Sequence, residues 1–198
     1  MKKNFIATIA GALVATIVFS LGMAQAAGGL PLAKLAGNYA GEGSATFSVC
    51  FNSDYSAVEA CTTAPHSVFF SETFVFQGTT DASGNSCTTI TVTNGPEFPL
   101  PTTTSNVFTV IETGKVTSYT QATESGEQSF TAYNAGTGTS CNGSVLVNTA
   151  MAPVVGNSTA SFVASQKGSR IDGVTLTIQN TPVADLTDYV GHAVAFKQ

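Results

Sequence analysis

The sequence predicts an all-β domain: a single up-and-down antiparallel barrel, with a β-sandwich as the alternative, behind a cleaved N-terminal signal helix. Three observations predict it. Bulky apolar residues recur at every second position in short runs. Turn residues rich in glycine, asparagine and proline separate those runs. Past the N-terminal leader no stretch has a convincing helical period; residues 30–36 and 182–188 are each long enough for a short helical turn at most. About eight to ten runs, spaced by roughly 10–15 residues, are the pattern of a barrel or sandwich.

The chain opens Met1-Lys2-Lys3, then runs apolar from Phe5 to Met23 and reaches Ala24-Gln25-Ala26. A basic start, an apolar centre and an A-x-A site form a signal peptide. The expected organisation is therefore 1–26 signal peptide, 27–35 loose leader and 36–198 all-β domain. No lipobox cysteine follows the apolar run. The mature protein is expected in the periplasm, in the medium or at the cell surface, after export of the bacterial type.

Two of the seven basic residues lie in that leader, so five face all twelve acidic ones in the mature part, a net charge of −7. Nucleic-acid binding needs a basic face to displace counterions, and an anionic membrane surface asks for the same. Neither partner is expected, and no membrane association after signal cleavage. The few charges and the many threonines, serines and glycines leave a surface of hydroxyls and amides.

Four cysteines remain after export: Cys50, Cys61, Cys87 and Cys141. An even count in an oxidising compartment predicts disulfides. Of the three possible pairings, Cys50–Cys61 with Cys87–Cys141 is preferred. The first closes a short loop; the second joins two look-alike segments, Ser83-Gly84-Asn85-Ser86-Cys87 and Gly138-Thr139-Ser140-Cys141. No CxxC is present, and neither histidine stands at metal-ligand spacing from a cysteine, so no metal or other cofactor is expected.

The strand runs follow in order. Phe47, Val49 and Phe51 alternate with Thr46, Ser48 and Cys50. Val68, Phe70, Phe74 and Phe76 share a face. Ile90 and Val92 alternate with threonines, Phe108 and Val110 with Val107, Thr109 and Ile111. Val145 and Val147 follow, then Val174, Leu176 and Ile178. Val190, His192, Val194 and Phe196 share the last face. Turns are expected at Asp81-Ala82-Ser83-Gly84-Asn85, Gly114-Lys115, Gly136-Thr137-Gly138 and Gly168-Ser169. Asn142-Gly143 is expected to kink a strand. Pro96, Pro99 and Pro101 predict a stiff, exposed connection.

The first strand begins Leu35-Ala36-Gly37-Asn38-Tyr39-Ala40-Gly41-Glu42-Gly43. Gly37-x-Tyr39 resembles the Gly-x-Trp motif that opens lipocalin-like (calycin) barrels, with tyrosine in place of tryptophan, which this chain lacks. Thr187-Asp188-Tyr189 is similar to the Thr-Asp-Tyr motif of that family. The resemblance implies a closed antiparallel barrel with a cavity for a small ligand.

The candidate binding residues are His192, Glu72, Phe70, Phe74, Phe196 and Tyr39. His192 alternates with Val190, Val194 and Phe196, which points it into a barrel as a polar anchor. The competing reading tucks it against the core or sets it at the rim. Glu72 shares the face of Phe70 and Phe74, and an internal carboxylate needs a partner. A Glu72 near His192 would make a polar site. The competing reading turns Phe69 and Val75 inward and leaves Glu72 on a solvated rim. The phenylalanines either fill the core or line a cavity.

No catalytic residues are nominated: Gly-x-Ser-x-Gly, HExxH, P-loop and GxGxxG motifs are missing. The function expected is non-catalytic binding of a small hydrophobic or amphipathic molecule. The alternatives are a surface structural or adhesive subunit of pilin type, with the tail 189–196 as a β-zipper strand, and a small outer-membrane barrel.

Overall fold

The computed structural model describes residues 30–54, 59, 61–95, 107–136, 138–180 and 186–198. The proposed signal peptide and the Pro96, Pro99 and Pro101 connection lie outside them.

Ten strands follow in order: β1 (Gly37–Phe51), β2 (His66–Thr80), β3 (Asn85–Asn94), β4 (Val107–Thr120), β5 (Ser125–Asn134), β6 (Thr139–Asn142), β7 (Val145–Asn148), β8 (Val154–Ser165), β9 (Arg170–Asn180) and β10 (Leu186–Lys197). Eight of them close a barrel in the order β1-β10-β9-β8-β5-β4-β3-β2, and β6-β7 form a separate hairpin. Every neighbouring pair is antiparallel. The fold is the predicted single antiparallel barrel, and closure pairs every one of its eight strands on both sides.

The short turns gather at one end, the base. Asp81 organises the β2–β3 turn: its carboxylate accepts from the backbone amides of Ser83 and Asn85 and from the Asn85 amide side chain. Gly84 supplies the left-handed step there, at φ 78°. The strand ends Phe51, His66, Asn94, Val107, Asn180 and Leu186 stand at the opposite end, the mouth.

The stretch expected as a loose leader supplies the base plug. Leu32–Leu35 form a single 3-10 turn, inside the window where one helical turn was expected. Leu30, Leu32 and Leu35 pack with Phe162, Ala164, Val116, Tyr119 and Ile171. The Tyr39 hydroxyl lies 2.7 Å from the Leu35 carbonyl and 3.0 Å from that of Gly168. Tyr39, the aromatic of the Gly-x-Tyr segment, thereby ties the plug and the β8–β9 turn to the first strand.

Both disulfides pair as preferred, Cys50–Cys61 and Cys87–Cys141. The second fastens the β6-β7 hairpin to β3, and Cys87 is fully buried. The Ser144 hydroxyl donates to Asp81 and fixes the hairpin tip. Such bonds belong to an oxidising, extracytoplasmic environment. Among the described residues no helix is long and apolar enough to cross a membrane.

Two turn expectations fail locally. Gly114-Lys115 lies inside β4. Gly114 faces inward, where a Cβ would overlap Gln128 and Ser86, so the glycine answers crowding. Asn142-Gly143 opens the β6–β7 hairpin turn and does not kink a continuing strand; Asn142 pairs with Val145.

Candidate functional site

The register decides which side chains enter the barrel. Phe47, Ala45, Gly43 and Gly41 of β1 stand opposite Phe70, Glu72, Phe74 and Phe76 of β2. Next, Glu72, Phe74 and Phe76 stand opposite Asn94, Val92 and Ile90 of β3. Val92, Ile90 and Thr88 then face Phe108, Val110 and Glu112 of β4. Cross-strand partners share a face, so all of these point inward. The other face of β2 is solvated: Phe69 is 71% exposed and Val75 57%. The reading that turned Phe69 and Val75 inward is thereby corrected, and Glu72 is internal.

On β10 the alternation holds but its phase is opposite to that expected. Gly191, Ala193 and Ala195 pair with Ala45, Gly43 and Gly41, so the small residues face inward. His192 and Phe196 are exposed on the outer wall with Val190. The pairing with β1 sets that phase. On β1 a Cβ on Gly43 would overlap the Phe74 ring, and one on Gly41 the Phe76 ring, so these rings of β2 lie across β1. His192 stands near Asp172, whose carboxyl is held below its usual range by the Arg170 hydrogen bonds first and by the His192 charge last. The Arg170 guanidinium grips Asp172 at 2.8 and 2.9 Å and sits 5.7 Å from the centroid of the Phe196 ring. Two shallow, open depressions touch His192, both on this outer wall.

Four of the six nominated residues therefore face the interior. Tyr39 sits in the base seal. Phe70 belongs to a packed cluster with Phe47, Val49 and Phe51 towards the mouth. Glu72 and Phe74 lie between these layers. The base and the Phe70 cluster are close-packed, but the middle is not. Phe74, Phe76, Ile90, Val110, Gln128 and Phe130 all face inward and all keep partial solvent access. Val92 and Asn94 are buried beside them. An eight-strand barrel is just wide enough either to fill with side chains or to hold one small ligand. Here the small residues of β1 and β10 leave the middle incompletely filled.

Glu112 was not among the nominated residues. It follows Phe108 and Val110 at the same two-residue step, so the rule that singled out Glu72 applies equally to it. Burial raises its carboxyl to about 7, with the charge of Glu72 second. The two carboxylates sit on the inward faces of β2 and β4, Glu72 beside Asn94 and Glu112 beside Thr88 of β3, and the Glu72 charge acts on Glu112 as the smaller of the two causes. Asn94 stands beside Glu72 in register, and Gln128 donates to Ser86 nearby. The inward polar residues are thus His66, Glu72 and Asn94 on the mouth side, and Glu112, Gln128 and Ser86 farther towards the base. No group of three or more His, Cys, Asp or Glu is placed to hold a metal ion among the described residues.

No protein-family model matches the chain, and no curated protein or solved structure is significantly similar to it.

Proposed function

We propose that the barrel binds a small amphipathic molecule in its lumen, outside the cytoplasm and after removal of residues 1–26, as a lipocalin-like binding protein without catalytic activity. One observation carries this reading: the inward side chains of the middle layer keep solvent access between a sealed base and a packed mouth-side cluster. Barrel mouths are common ligand sites, apolar with a few fixed polar groups. Phe74, Phe76, Ile90 and Val110 supply the apolar wall, and Glu72 and Glu112 the polar end.

The competing assignments find less support. The tail cast as a β-zipper strand pairs within the chain, with β1 on one side and β9 on the other. The outer wall of β1 to β3 carries Ser44, Thr46, Ser71, Thr73, Thr89, Thr91 and Thr93 around the exposed Phe69 and Val75, so hydroxyls interrupt the apolar band that a membrane barrel carries.

Titration with the neutral dye N-phenyl-1-naphthylamine tests the proposal. Saturable fluorescence enhancement at one dye per chain is expected. Val110→Trp, which fills the lumen, abolishes it; Val75→Trp, on the outer wall, leaves it intact. Both variants must keep the parent far-ultraviolet circular dichroism. Equal binding by the two folded variants, or none by the parent, contradicts lumen binding.

A further inference from the structure

We infer that the two ends of the barrel are the two halves of one interface: the mouth end of one chain docks on the base of a second copy, and the contact repeats head to tail. This goes beyond the lumen reading and does not depend on it.

The described charges are sorted along the barrel axis. Of the seven lysines and arginines, Lys2 and Lys3 belong to the proposed signal peptide. The other five all stand at the base. Lys34 lies in the plug, and Lys197 donates to its carbonyl. Lys115 donates to the Ser83 carbonyl and to Asn85 in the β2–β3 turn. Lys167 sits in the β8–β9 turn, and Arg170 begins β9. Arg170 is paired with Asp172, whereas no lysine has a carboxylate partner among the described residues. Of the acids at this end, Asp81 is held by the Ser83 amide, Glu124 by the Leu30 amide and Asp172 by Arg170. The exposed Lys34, Lys115, Lys167 and Lys197 therefore face only the exposed Glu127. At the mouth the described residues include no lysine or arginine. The charges there are Asp54 and Glu59, both exposed, and the Glu59 amide donates to the Cys50 carbonyl beside the end of β1.

The acidic end is also the one that presents large apolar side chains, on three strands. Phe69 stands near the start of β2, Val107 and Phe108 begin β4, and Val154 begins β8; all are exposed. Gly156 of β8 pairs with Asn180, which sets the start of β8 at the mouth. Met151, just before β8, is 82% exposed. Its φ of 53° is a left-handed backbone, unfavourable for a residue with a side chain. The Asn148 side chain clamps the next residue, donating to the Ala152 carbonyl at 3.2 Å and accepting from the Ala152 amide at 2.9 Å. Met151 is thus held out in water on a braced loop. Exposed apolar groups gathered in one place mark a contact surface, and methionine suits an adaptable one.

The base of a second copy supplies what this face lacks: four exposed lysines around the exposed Pro31 and Ala33 of the plug. A bilayer is the poorer fit, because an anionic surface repels Asp54 and Glu59 and a zwitterionic one brings them no net counter-charge. Mouth on base is a heterologous contact. It leaves a free mouth and a free base on each assembly, so growth continues unless the chain of copies closes into a ring.

Sedimentation equilibrium of the purified chain, across a range of concentrations at low and high ionic strength, tests this. The average mass is expected to rise past the dimer with concentration and to fall back at high salt. Lys34→Glu with Lys167→Glu disables the base, and Phe69→Asp with Met151→Asp disables the mouth. Each double variant, with the far-ultraviolet circular dichroism of the parent, is expected to associate at least ~10-fold more weakly. Mixed one to one, the two variants should form a dimer and stop, because the pair holds one intact mouth and one intact base. A parent that stays monomeric at low ionic strength overturns the inference, as does a parent that stops at the dimer. So does a variant that assembles alone as strongly as the parent, or a mixture that does not associate. A monomeric parent that floats with phosphatidylcholine vesicles assigns the mouth to lipid instead.

Discussion

Glu112 and Tyr39 are the single residues on which most depends. The folded chain holds the Glu112 proton up to about pH 7, against 4.5 for an unperturbed carboxyl. Between those values the folded state binds more protons than the unfolded state, so stability falls as pH rises through that window. Glu112→Gln should match the parent below pH 4.5 and exceed it by on the order of 2–3 kcal/mol above pH 7. Urea denaturation on either side of the window measures the difference; an equal gain at both pH values would contradict the burial of Glu112. Tyr39→Phe removes the hydroxyl shared between the Leu35 and Gly168 carbonyls. The expected loss is about 1–3 kcal/mol, accompanied by faster hydrogen exchange at residues 32–35. The inward placement of Glu112 was legible in the sequence, since it continues the Phe108 and Val110 face. Its meeting with Glu72 was not, because that depends on the stagger of β2 against β4.

At the scale of elements, strand periodicity was readable almost throughout, but strand phase was not. On β2 the choice lay between Phe70 with Phe74 and Phe69 with Val75, and both sets are apolar. On β10 the bulky set faces water because its pairing with β1 sets Gly191, Ala193 and Ala195 opposite the inward Ala45, Gly43 and Gly41. Local sequence carries no trace of that neighbour. Gly114 misled for a related reason: it marks crowding by Gln128 and Phe130 rather than a turn. The cysteine pairing was legible because two similar turn-to-strand segments each led into a cysteine. The Cys87–Cys141 bond spans 54 residues, which the chain-entropy model values at about 4 kcal/mol. Replacing both cysteines by alanine should cost roughly that amount in chemical denaturation. Hydrogen exchange should rise first in β6 and β7 while the eight barrel strands stay protected. Loss of protection across the barrel strands as well would show that the hairpin is integral to the barrel.

Across the whole molecule, the physical claim is an incompletely filled barrel with acid inside and hydroxyls outside. The formal charge of the chain is −5, yet Glu72 and Glu112 lie on the inward faces of their strands. The outer wall uses its charges in local pairs such as Arg170–Asp172. Exposed pairs of that kind contribute little to stability. The energy of the fold comes instead from the two packed layers and from closure of the sheet. The proposed ligand would occupy the space between those layers.

Carbon-13 carboxyl titration by nuclear magnetic resonance tests this arrangement most directly. The account predicts one glutamate, assigned to Glu112, with a midpoint near 7 that moves down in Glu72→Gln. If every glutamate titrates as an ordinary solvated carboxyl, or the Glu112 midpoint ignores the loss of Glu72, the two carboxylates do not share the lumen.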